Sequence, residues 1–148
     1  MEKEDKSIGF TLMKITTEQF ALIQDSFTEG APIRIRTNIR FGVENITKMI
    51  AVFASFTYES NEKPFIIIEA GCHFQINEDA WNDMFSQDEN ALTVARGFMS
   101  HLTVLTVGTV RGILHAKTES TPFNRFVLPT INITELIKDD VIIACMAE

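Results

Sequence analysis

The sequence predicts an α+β fold: a four-stranded antiparallel β-meander followed by a long α-helix, a crossover loop and a short C-terminal helix. Two patterns carry that expectation. Residues 33–76 either alternate apolar with polar side chains or run apolar on both faces, as strands do, whereas apolar residues after Glu89 recur at helical spacing. Length supplies the third observation. A chain of 148 residues is one domain by the usual prior, and it buries roughly 70% of its unfolded surface without metal or disulfide. Residues 1–148 therefore read as a single domain, with an N-terminal tail over 1–8, an antiparallel sheet over 9–76, a helical region over 77–119, and crossover, short helix and tail over 120–148.

In chain order, "IGFTLMKITTEQFALIQDSF" offers one or two shorter strands. In "PIRIRTNIRFGVE", Ile33, Ile35, Ile39, Phe41 and Val43 alternate with Arg34, Arg36, Asn38, Arg40 and Gly42, giving a strand with one apolar face and one wet, basic face. "GVEN" supplies a turn. The next strand is apolar on both sides, with Ile50, Val52, Ala54, Phe56 and Tyr58 on one and Met49, Ala51 and Phe53 on the other, so it should be covered on both. "ESNEKP" reads as a hairpin loop and "FIIIEAGCHFQI" as a third long strand, with Gly71 a candidate bulge. "NEDAWNDMFSQDEN" is a short helix or loop docked by Trp81, Met84 and Phe85. From Glu89, with Asp88 as candidate N-cap, the stripe Ala95, Phe98, Met99, Leu102, Leu105, Thr109 and Ile113 predicts the long helix. Gly108 and Gly112, four apart, strip side chains from one helix face and suit close helix–helix packing.

Composition narrows the function classes. A net charge of −7 argues against a nucleic-acid backbone as partner. The charged "MEKEDKSIGF" start carries no signal-peptide core, and His101 and Arg111 interrupt the longest apolar stretch, so neither secretion nor membrane insertion is expected. Two cysteines without motif spacing, Cys72 and Cys145, fit a reducing, cytoplasmic setting. Adjacent Cys72 and His73 point to opposite strand faces, and His101 and His115 lie about 20 Å apart along a helix, so no metal site is expected. Glycine-rich phosphate loops and nucleophile elbows are missing from the sequence, and the acid pairs Glu78-Asp79 and Asp139-Asp140 sit in polar stretches. Neither an enzyme nor a cofactor is indicated. Apolar surface in excess of one small core is: twelve phenylalanines, and a proline-broken segment, "STPFNRFVLPTINITELI", too interrupted for one helix or strand.

The ordered set "CHFQI", "ARGFMSHLT" and "TPFNRFVLPTINITELI", following four antiparallel strands, resembles the bacterial export chaperone family SecB from about Phe10 to Ile137. The resemblance implies a homotetramer, a dimer of dimers whose sheets join edge to edge and whose long helices pack between layers. On that pattern Leu105, Gly108, Thr109 and Gly112 would form the oligomer interface. Ile33 and Ile35 would line the sheet side of a groove for unfolded polypeptide, and Phe123, Phe126, Leu128, Ile133, Leu136 and Ile137 its lid side. Glu69 matches an acidic position of the family's docking surface for the translocase ATPase, but Arg34, Arg36 and Arg40 replace acids on the neighbouring polar face. Two alternatives accompany this reading: a chaperone dedicated to one partner, such as an antitoxin, and a small-molecule binder or hot-dog-like thioesterase. The apolar end of "IKDDVIIACMAE" departs from the family's polar tail, and is either an added strand or a filler of the groove.

Overall fold

The computed structural model describes residues 8–145, so residues 1–7 of the expected N-terminal tail and residues 146–148 lie outside the described residues. The chain runs β1 (Phe10–Leu22), β2 (Ile33–Glu44), β3 (Met49–Ser60), β4 (Lys63–Ile76), α1 (Glu78–Met84), β5 (Phe85–Ser86), β6 (Ala91–Val94), α2 (Arg96–Thr118), α3 (Ile133–Leu136) and β7 (Val141–Ala144). This is an α+β fold with a four-stranded antiparallel sheet and a long helix.

The sheet is not a simple meander. Strands β2, β3 and β4 follow one another, but β1 pairs with β4, giving the order β1-β4-β3-β2. The reason lies in β4: Ile66, Ile68, Ala70, Cys72 and Phe74 are all buried. At the edge of a meander that strand would lack a neighbour on one side. One 13-residue β1, with irregularities between Leu12 and Lys14 and between Thr17 and Gln19, replaces the expected shorter strands. Asn61 and Glu62, both at positive φ, make the tight turn between β3 and β4.

Gly71 is not a bulge, since its pairing is continuous with both Phe53 and Thr16. It is instead a site of close approach. A Cβ there would stand 2.6 Å from two ring carbons of Phe53 and 3.0 Å from Thr16 Oγ1. The ring lies across the glycine and carries the Arg40 guanidinium 3.9 Å from its centroid. The outer face of β3 is therefore screened by its own sheet.

Helix α2 begins later than expected. Residues 85–94 form β5, a turn and β6, and Asp88 lies in that turn. Ala95 precedes the first helical residue and has no capping side chain. The cap comes from afar: the Arg96 amide donates to Asp140 Oδ1 at 2.9 Å. The buried face also differs from the predicted stripe. It comprises Met99, Leu102, Thr103, Thr106, Val107, Val110, Leu114 and Thr118, leaving Leu105 exposed. Threonine reads as polar, but the hydroxyls of Thr103, Thr106 and Thr118 donate to carbonyls one turn back at 2.8 Å and leave a methyl surface to bury. α2 packs on β4 and β3 and reaches β1 near its ends, with Phe98 and His101 against the Phe10 ring at one and Lys117 over Phe20 at the other. The apolar tail is an added strand, β7, paired antiparallel to β6.

Replacing Gly71 with alanine is expected to cost about 1–3 kcal/mol, because the ring of Phe53 must leave its seat. Urea denaturation measures it, and Phe53→Ala in the same chain should make the glycine substitution nearly neutral.

Candidate binding surface

The crossover begins where α2 stops. The Thr121 hydroxyl donates to Thr118 O at 2.7 Å and accepts from the Phe123 amide at 3.2 Å, so one side chain ends the helix and starts the turn over Pro122–Arg125. That turn sets Phe123 and Phe126 onto the helix-facing side of the sheet. With Phe27, from the β1–β2 connection, and Tyr58 and Phe65 they form an aromatic cluster, the closest rings being Phe27–Phe65 at 4.9 Å and Phe65–Phe126 at 5.2 Å. Arg125 covers its outer side, 5.2 Å from the Phe27 centroid and 5.0 Å from that of Phe126, and pairs with Glu29 at 2.8 Å.

Beyond Phe126 the chain has no regular structure until α3, and Arg111 holds it. Its guanidinium donates from Nε to Leu128 O at 2.8 Å and from Nη2 to Pro129 O at 2.9 Å. Beneath the crossover, Tyr58 is 2% exposed and its hydroxyl is the one buried side-chain polar atom without a hydrogen-bond partner among the described residues. Burial pushes its pKa up to about 12, against a smaller downward pull from the Arg111 charge.

The residues expected to line a groove separate into two groups. Ile33 and Leu136 are exposed, and Ile35 and Phe126 half-buried. Ile35 stands directly opposite Tyr58, and the Tyr58 and Phe126 rings are 6.2 Å apart, so strand and crossover do meet there. Phe123, Leu128, Ile133 and Ile137 are instead core residues, each at most 6% exposed. Within the protomer they do not face an open groove: they are buried beneath and within the crossover, which covers an apolar sheet face.

The candidate oligomer residues lie on the opposite face of α2. Leu105, Gly108 and Gly112 are exposed and Thr109 half-buried, and a Cβ added at either glycine would meet nothing within 4 Å. Among the described residues no backbone uses the space they leave. Glu69, the candidate docking acid, is engaged by Arg40, whose Nε and Nη2 each lie 3.3 Å from a carboxylate oxygen. Arg36 similarly approaches Glu59 at 3.8 Å. This face presents neutralised pairs where an acidic patch would be required.

Sequence reasoning missed Phe27, Tyr58 and Arg111 as parts of this surface. Arg111 left a signal, a lone cation inside an apolar helical run, which normally needs buried acceptors. Phe27 and the Tyr58 hydroxyl left none, because their surroundings are set by segments distant in sequence. Among the described residues no group of three metal-ligating side chains comes together, and no helix is long and apolar enough to cross a membrane.

No family model matches the chain, and no curated protein matches it. Among solved structures it is similar to "a protein of unknown function from Streptococcus agalactiae", at 16% identity and a TM-score of 0.45, with 86% of this chain and 100% of that one covered.

Tyr58 is the sole tyrosine of the sequence, so phenolate absorbance reads it alone. The native chain should titrate near 12, and the urea-unfolded chain near the ordinary 10.0. A folded pKa raised above the unfolded one means that this stabilisation is complete below pH 10 and disappears as pH rises through 12. Native titration at 10 would show the hydroxyl in contact with water.

Proposed function

We propose that this chain is a SecB-like chaperone of the cytoplasm, a holdase that binds unfolded or non-native polypeptide, with exported proteins among its clients. The observation that carries the reading is the meeting of Ile35, Tyr58 and Phe126 under a crossover that has little regular structure, with Ile33, Val127 and Leu136 exposed along the same segments. Apolar side-chain pockets combined with main-chain contacts recognise extended chain with low sequence selectivity, which is what a holdase requires. Such a protein works by mass action, binding the unfolded state and not the native one. It needs no nucleotide or cofactor. The competing hot-dog-like arrangement would place a helix before most strands, whereas here all four strands of the large sheet precede α2.

A second reading is favoured by one observation. Because Arg40 neutralises Glu69, docking on a translocase ATPase through acidic side chains has little support. A chaperone dedicated to one partner, such as an antitoxin, would need no such surface.

Self-association belongs to the proposal. Edge strand β1 exposes Leu12, Met13 and Ile15, and α2 exposes Val104 and Leu105 beside its two bare glycines. We assign these surfaces to contacts between copies, sheet edge to sheet edge and helix to helix, in a dimer of dimers.

Stoichiometric protein is expected to arrest refolding of a slow-folding preprotein and to co-elute with it on size exclusion. Unaltered refolding, with the chain eluting alone, would remove the general holdase reading and leave the dedicated one to be tested with candidate partners. For the assembly, Gly112→Leu should convert tetramers to dimers by light scattering, and an unchanged mass would dismiss the helix contact.

A further inference from the structure

We infer that the crossover is a built-in occupant of the groove: Arg111 latches it by main-chain carbonyls, and an incoming polypeptide takes its place on Arg111 and gives the Tyr58 hydroxyl its missing partner. The inference rests on the polypeptide-binding reading and names the residues that would read the client.

Three observations support it. First, the latch contacts backbone only. Arg111 Nε and Nη2 bind the carbonyls of two successive residues, Leu128 and Pro129, and use nothing of either side chain. A guanidinium placed in this way would hold any extended chain equally well. Second, the latched segment has few other polar ties. Near its start Asn124 donates to His115 O at 3.0 Å and to Thr118 Oγ1 at 3.2 Å, and the Arg125–Glu29 pair lies exposed. An exposed pair contributes little to holding a segment down. Third, the closed state leaves a polar atom unsatisfied. A buried hydroxyl without a partner disfavours the state that buries it, so closure at Tyr58 carries a standing penalty that a client carbonyl or amide would relieve. Leu128, 1% exposed beside the latch, occupies the pocket that an aliphatic client residue would inherit.

The device also accounts for the burial of Phe123, Leu128, Ile133 and Ile137 without removing the groove. The chain covers its own binding face when empty, and opening exposes that face only to a segment able to compete for the same contacts.

Hydrogen exchange on the full-length chain without client tests the latch. Arg111→Met should speed exchange of amides in 124–131 by roughly tenfold while those of β3 and β4 keep their protection. Equal exchange in variant and wild type overturns the latch. Tyr58→Phe, a conservative change, tests the reader. Its Tm should be no lower than that of wild type, since no bond is lost, while its affinity for reduced, carboxymethylated α-lactalbumin should fall about threefold or more. A lowered Tm, or unchanged affinity, overturns that role. Wild-type chain that fails to bind this probe overturns the general holdase reading and the reader role together, whereas the exchange result bears on the latch alone.

Discussion

One apolar sheet face, too wide for a single helix, governs the rest of this molecule. Four strands spaced about 4.8 Å apart present a face nearly 20 Å across, and a helix with its side chains covers roughly 10–12 Å of it. α2 lies over β4 and β3, so the part towards β2 must be covered by something else. The crossover, with Phe123 and Phe126, and the small sheet β5-β6-β7 take that place. A cover made of irregular chain is held less firmly than one made of helix, because few of its main-chain groups bond to each other. The candidate binding surface arises where the rigid cover ends.

The opposite sheet face follows a different rule. It needs no covering element because its largest side chain is shielded laterally: Phe53 folds over Gly71 and lies under Arg40, which in turn bonds Glu69. Strand, glycine, ring and cation form one line across the sheet, each position depending on its neighbour. The Arg40 charge that a docking partner would read is therefore already engaged by two carboxylates, Glu69 at 3.3 Å and Glu18 at 3.8 Å. This face stabilises the sheet and gives a partner little net charge to recognise.

Much of this architecture was legible in the sequence. Period-two alternation located β2, because one buried face imposes it, long apolar runs between turn signals located β3 and β4, and the order of strands before helix was correct. Strand neighbours were not legible: that β1 joins β4 depends on which strand needs two partners, a property of the assembled sheet. The short strand Ala91–Val94 was absorbed into the predicted helix, since four β-branched and aliphatic residues next to a helical run have no period of their own. Threonines misled the stripe, as their hydroxyls bond within the helix. Of the candidate site, the Phe-rich crossover could be read, but not that its phenylalanines would pack inward on Phe27 and Phe65, which come from distant segments.

The cap on α2 has a further consequence, for the order of events during synthesis. The Arg96 amide finds its carboxylate 44 residues later, at Asp140. A ribosome therefore delivers the sheet first, then a helix whose leading end is still uncapped, and only afterwards the segment that closes it. Until the crossover emerges, the nascent chain carries an unshielded apolar face towards β2, and until Asp140 follows it the first turn of α2 lacks its carboxylate cap. The segment that completes the domain is thus made after everything it closes, and interruption of translation upstream of it would leave a sticky intermediate whose exposed surface resembles that of an unfolded chain.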